Sequence, residues 1–116
     1  MMRGEVYIAE LEPRSGSEQR GRRPVVVVSN NAFNKVANWQ SVIVVPVTSS
    51  RVQSKKGPTG ILLPAGTAGL AKDSVVLCHQ VTTLDRKKIH KKIGKLSAKQ
   101  RGEVDDGLKA ALDILV

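Results

Sequence analysis

Aromatic side chains are nearly missing from this chain: Tyr7, Phe33 and Trp39 are the only rings among its 116 residues. The core must therefore be built from Val, Ile, Leu and Ala, and base stacking on rings is not the chain's main grip on any nucleic acid. Cysteine is down to Cys78 alone, which rules out an internal disulfide. With no second thiol, and with His79 and His90 the only two histidines, no familiar metal-ligand spacing appears and no cofactor is expected. Long apolar runs are absent too. Met1-Met2-Arg3-Gly4-Glu5 opens without the apolar segment of a secretion signal, and no stretch approaches membrane-spanning length. The expectation is a cytoplasmic protein without metal or membrane.

Acidic residues are also under-represented, 10 against 19 Lys and Arg, which leaves a net charge of +9. Such an excess favours a polyanionic partner, nucleic acid first and an anionic membrane surface second. Its distribution is uneven. Residues 72 to 101 carry nine Lys and Arg against Asp73 and Asp85, whereas residues 102 to 116 set Glu103, Asp105, Asp106 and Asp113 against Lys109. A solvated basic face would produce the first block as readily.

At this length, and with 41% hydrophobic residues, the chain fits one domain over residues 1–116 with a single core. Glu5 to Leu11 reads as a first strand and Pro13 to Gly21 as a loop. Pro24 to Ser29 is a β-branched run expected to be covered on both sides. Asn30-Asn31 predicts a cap for a short helix through Asn34 to Ala37, with Phe33 and Val36 facing inward. Ser41 to Thr48 is a third strand whose internal Pro46 predicts an edge position or a bulge. Ser49 to Pro58 is polar and basic and reads as a mobile loop. Thr59 to Pro64 and Ser74 to Val81 are further strands, with Lys92 to Leu96 a short last one.

Ser97 with Gln100 forms a capping box ahead of a terminal helix that places Val104, Leu108, Ala111, Leu112 and Leu115 on one stripe. Gly102 and Gly107 should weaken this helix by about 1 kcal/mol each relative to Ala. Five or six short strands and this helix predict a mainly β fold: a small SH3-like antiparallel β-barrel with a short helix after strand 2 and a C-terminal helix.

The most informative segment is Gly16-Ser17-Glu18-Gln19-Arg20-Gly21-Arg22-Arg23-Pro24, which runs into Val25-Val26-Val27-Val28. It delivers two arginines to the mouth of an apolar strand. Pro24 pushes Arg23 towards an extended backbone, where its guanidinium is well placed to grip a phosphate. Thr48 ends the third strand beside Ser49 and Ser50. If the two strands pair antiparallel, the start of one meets the end of the other. His79 reads either as a half-buried ring or as a functional group, and His90, set among Lys87, Lys88, Lys91 and Lys92, as a surface residue. Trp39 is expected to fill a loop pocket, with base stacking the alternative; Cys78 is expected to be a small core hydrophobe.

Along nearly its whole length the chain resembles the MazF/PemK toxin family. The resemblance rests on Arg3-Gly4-Glu5-Val6-Tyr7, on Gly16-Ser17-Glu18-Gln19 through Arg23-Pro24-Val25, on Val47-Thr48, and on Asp73-Ser74-Val75 through Gln80-Val81. It implies a homodimeric SH3-like barrel, the toxin of a toxin–antitoxin pair. Such a toxin cuts single-stranded RNA at short motifs without metal, leaving a 2′,3′-cyclic phosphate and a 5′-hydroxyl. It also implies that Arg23 and Thr48 are the catalytic pair and that a cognate acidic antitoxin covers the basic cleft. Ser17, Glu18, Gln19 and Ser49, with Asp73, Ser74 and Gln80, are then candidates for shaping the cleft or recognising bases, each with a turn or strand role as the alternative. Two other readings stay open: a non-catalytic RNA-binding barrel, and a gyrase-poisoning toxin of the same fold.

Overall fold

The computed structural model describes residues 1–12, 20–49 and 57–115. Seven strands form one antiparallel sheet: β1 (Glu5–Leu11), β2 (Gly21–Val27), β3 (Ser41–Thr48), β4 (Gly60–Leu63), β5 (Ser74–Leu77), β6 (Thr82–Asp85) and β7 (Ile89–Lys95). Their order is β4-β5-β3-β2-β1-β7, with β6 also paired to β3. Helix α1 (Asn31–Asn34) follows β2, and α2 (Ala98–Leu112) ends the chain's regular structure.

β3 is the hub. β2 lies along one side of it; along the other, β6 pairs with Ser41–Val44 and β5 with Val47–Thr48. Pro46 falls between the last β6 pair and the first β5 pair, where a missing N–H costs the ladder least. The strand is therefore central rather than an edge, and the irregularity that Pro46 marks is a change of partner.

Alternation along β2 sends Val26 into one cluster, with Val6, Val45, Val47, Leu63, Val76 and Val104, and Val25 and Val27 into a second, with Ala9, Leu11, Val42 and Val44. The valine run is thus covered on both faces, as its composition predicts. The two ends of the sheet path are joined by backbone packing rather than a ladder. The 3-10 turn Thr67–Gly69 lies against β7. A Cβ on Gly69 would stand 1.9 Å from the Ile93 carbonyl oxygen, and one on Gly94 2.4 Å from Ala68 backbone atoms. Two side-chain-free positions thus bring the barrel-like wall together.

Several boundaries differ from the sequence-based expectations. β2 begins at Gly21, so Arg22 and Arg23 lie inside the strand, and it stops at Val27 instead of Ser29. The expected strand Ser74 to Val81 ends at Leu77 as β5 and gives way to a 3-10 turn at Cys78–Gln80, and a further strand, β6, follows beyond it. β7 starts three residues earlier than read, at Ile89. The loop readings over 13–19 and 50–56 lie outside the described residues.

The first helix is earlier than expected and oriented differently. Asn30 accepts from Ala32 N at 2.8 Å, and the buried side chain is Asn34, which exchanges hydrogen bonds with Ser29. Phe33 and Val36 are 46% and 43% exposed instead of facing inward, because an amide satisfied by Ser29 occupies the inner position.

In α2 the capping box of Ser97 and Gln100 forms in both directions. Val104 is buried, but the expected apolar stripe stops packing near its end: Leu112 is 57% exposed and Leu115, beyond the helix, 93%. Gly107 is a packing position and not simply a weak point, because it lies directly on Cys78.

Candidate active site

Gly21 enters β2 at φ +77°, a left-handed conformation that favours glycine. The next two arginines point to opposite sides of the strand. Arg22 pairs across the ladder with Glu10, its Nη2 3.6 Å from Glu10 Oε1. Arg23 carries a different partner: its Nε donates to the Arg20 carbonyl at 3.0 Å. That bond uses Nε only, and the two terminal nitrogens of the fork are not part of it.

The β2–β3 ladder ends with Val25 opposite Pro46, two residues short of Arg23 on one strand and of Thr48 on the other. Both line one open hollow of about 230 Å³, together with Pro24, Val47, Ser49, Leu70, Ala71, Lys72 and Ser74. Thr48 is only 4% exposed, while Arg23, Ser49 and Lys72 are exposed around it. Ser74 is buried and its Oγ donates to the Lys72 carbonyl at 2.8 Å, which fixes the entry to β5. The arrangement combines two cations with small hydroxyls at one end of a strand pair. Chemically it suits a phosphate: charge-assisted donors on the exposed side and a held hydroxyl at the floor.

Of the sequence-derived site residues, Arg23, Thr48, Ser49 and Ser74 come together here. Asp73 does not line the hollow; its Oδ1 accepts from Ala65 N at 2.8 Å and holds the turn after β4. Gln80 sits in the 3-10 turn after β5, away from the lining. Ser17, Glu18 and Gln19 lie outside the described residues.

His79 is exposed and lines none of the hollow, and His90 Nε2 is 3.4 Å from Glu10 Oε1 on the β1–β7 side. Trp39 fills no pocket: it is 46% exposed and stacks on Phe33 with ring centres 5.1 Å apart. Cys78 is buried as expected; burial, and then the Asp105 carboxylate, push its thiol up to about 11. Lys72 is the site residue that the sequence reading missed. Its signal was present, immediately before the Asp73-Ser74-Val75 element.

Among the described residues, no group of three or more His, Cys, Asp or Glu side chains is arranged to hold a metal ion. No helix among them is long and apolar enough to cross a membrane.

Fold and hollow together define a small antiparallel β protein with a cationic, hydroxyl-lined site suited to phosphate. Residues 2–112 match the family of PemK-like, MazF-like toxins of type II toxin–antitoxin systems, and the chain belongs to that family. It is 37% identical to the endoribonuclease MazF of Staphylococcus saprophyticus, over 98% of this chain and 92% of that protein. The solved MazF of Deinococcus radiodurans superposes with a TM-score of 0.78 at 31% identity, covering 97% of this chain and 96% of that one. A MazE–MazF structure from the same organism aligns at TM-score 0.72 and 31% identity, over 97% and 95% of the two chains.

Proposed function

We propose that this toxin is an endoribonuclease that cuts single-stranded RNA, messenger RNA above all, at short sequence motifs, and so inhibits translation and growth. The observation that carries the proposal is that Arg23, from β2, and Thr48, at the end of β3, line the same open hollow. In the proposed reaction the 2′-oxygen forms a bond to phosphorus and the bond to the 5′-oxygen breaks. The 2′-hydroxyl loses its proton and the 5′-oxygen gains one, leaving a 2′,3′-cyclic phosphate and a 5′-hydroxyl. The chain itself supplies the charge, so no metal is required.

A guanidinium is a poor free base. Arg23 acts mainly by taking the growing charge on the non-bridging oxygens through its bidentate fork, and it assists proton transfer. Thr48 hydrogen-bonds a non-bridging oxygen or orients the 2′-hydroxyl. Ser49 and Ser74 extend the binding surface, with Ser17, Glu18, Gln19 and Gln80 as base-recognition candidates; Asp73 serves recognition through the turn it holds.

The whole chain acts as one toxin domain in the cytoplasm and assembles as a homodimer. Exposed Leu62 on the terminal strand β4, with Leu112, Ile114 and Leu115 at the end of α2, supplies the apolar surface for that contact. A cognate acidic antitoxin is the second partner; the +9 charge suits it, and the related Deinococcus toxin was solved as MazE–MazF.

The test is incubation of purified protein with a long single-stranded RNA in EDTA, with mapping of cut sites and end groups. Discrete cuts with 5′-hydroxyl ends, absent with Arg23→Ala, are expected. RNA that is bound but left intact would favour the non-catalytic module, and inhibition of gyrase supercoiling the gyrase poison.

A further inference from the structure

Arg23 is not the only cation on the hollow. Lys72 lines it from the opposite wall, the connection between β4 and β5, and is exposed with no ion pair among the described residues. Local bonds hold its carbonyl and its neighbour. Ser74 Oγ donates to the Lys72 carbonyl at 2.8 Å, and the neighbouring Asp73 carboxylate is engaged by Ala65 N, also at 2.8 Å. The acid next in sequence is thus committed to its own turn, and among the described residues no carboxylate lines the hollow beside Lys72.

We propose that Lys72 is a catalytic residue of the RNA cleavage proposed above, the second cation at the scissile phosphate. The inference rests on that reading of the site. During in-line attack the phosphorus group passes from one negative charge towards two, spread over two non-bridging oxygens. A single guanidinium fork with its stem tied to Arg20 approaches from the β2 side. A second cation on the β4–β5 side lets each non-bridging oxygen meet a positive donor as its charge grows, with Thr48 at the floor between them. Because that charge is larger in the transition state than in the bound substrate, Lys72 contributes more to rate than to affinity. Lysine suits the position: it is a compact, rotatable point charge that needs no fixed fork geometry.

The test uses the full chain and a short RNA spanning a cut site mapped on a long mixed-sequence transcript. Single-turnover cleavage is measured at saturating protein for wild type, Lys72→Ala and Lys72→Arg. Affinity is measured in parallel on the same RNA with a 2′-deoxy nucleotide at the cut, which has no nucleophile. The expected result is a loss of roughly 100-fold or more in rate for Lys72→Ala, with affinity changed by only a few fold and most of the rate restored by Lys72→Arg. Cleavage by Lys72→Ala within about threefold of wild type would overturn the proposal. So would equal losses of rate and affinity, which would make Lys72 a docking cation. A wild-type protein that leaves every RNA intact would instead overturn the endoribonuclease reading itself.

Discussion

Gly107 of α2 sits directly on Cys78: a Cβ added there would stand 2.7 Å from the Cys78 sulfur and 3.4 Å from Ile61 Cδ1. Five residues earlier on the same helix, a Cβ on Gly102 would meet nothing within 4 Å. The same substitution therefore has opposite signs at the two positions. Gly102→Ala should stabilise the fold by roughly 0.5–1 kcal/mol through helix propensity alone. Gly107→Ala should destabilise it by about 1–3 kcal/mol through overpacking, and adding Cys78→Ala should recover part of that loss. Urea unfolding of the four proteins checks this.

Glu5 and Tyr7 set the pH behaviour of the β1–β7 face. Burial alone would push the Glu5 carboxyl up, but hydrogen bonds from Lys92 Nζ at 2.5 Å, Met2 N at 2.7 Å and Tyr7 Oη at 2.9 Å outweigh it and hold it below its ordinary range. A group depressed in the folded state stabilises above its unfolded value, and that stability is lost as pH falls through the folded one. Tyr7 moves the other way: burial, then its bond to Glu5, pushes it up to about 12. Its contribution is present below about pH 10 and lost as pH rises from there to about 12. Tyr7 is the chain's single tyrosine, so tyrosinate absorbance reports it alone. Glu5→Gln should lower its midpoint only part of the way to the ordinary value, because burial is the larger cause, and should flatten the loss of stability in acid.

The exposed leucines at the end of α2 separate folding from assembly. Leu112 is 57% exposed and Leu115 93%, so Leu112→Glu should change monomer stability by no more than about 0.5 kcal/mol. In the proposed homodimer it would bury a charge in an apolar contact. Sedimentation should therefore show the variant as a monomer at concentrations where the native chain is a dimer.

The sequence made the covered strand legible because a run of valines at Val25 to Val28 has few other uses, and the capping box because Ser97 and Gln100 carry their own geometry. Arg23 and Thr48 were legible as strand-end residues; their approach depended on a β2–β3 pairing that only the structure supplies. Other features were hidden because they depend on distant neighbours. Lys72 looked like one more lysine of a basic block until the β4–β5 connection brought it to the hollow. Gly107 looked like a helix fault because propensity is local and the Cys78 contact is not. Phe33 was expected to face inward from the short helix, yet the Asn34 amide, bonded to Ser29 and to Asn31, takes the inner position.

The central claim is that Arg23 and Thr48 act on one phosphate, and a double-mutant cycle tests it most directly. Single-turnover cleavage is measured for the native chain, Arg23→Lys, Thr48→Val and the pair, with affinity for the uncleavable RNA alongside. Arg23→Lys keeps the charge but loses the fork and should slow cleavage by about 100-fold or more while leaving binding largely intact. If the two residues serve the same transition state, the double variant should be little slower than the slower single one. Rate losses that multiply would mean the two side chains act independently, and near-native cleavage by Arg23→Lys would contradict the account altogether.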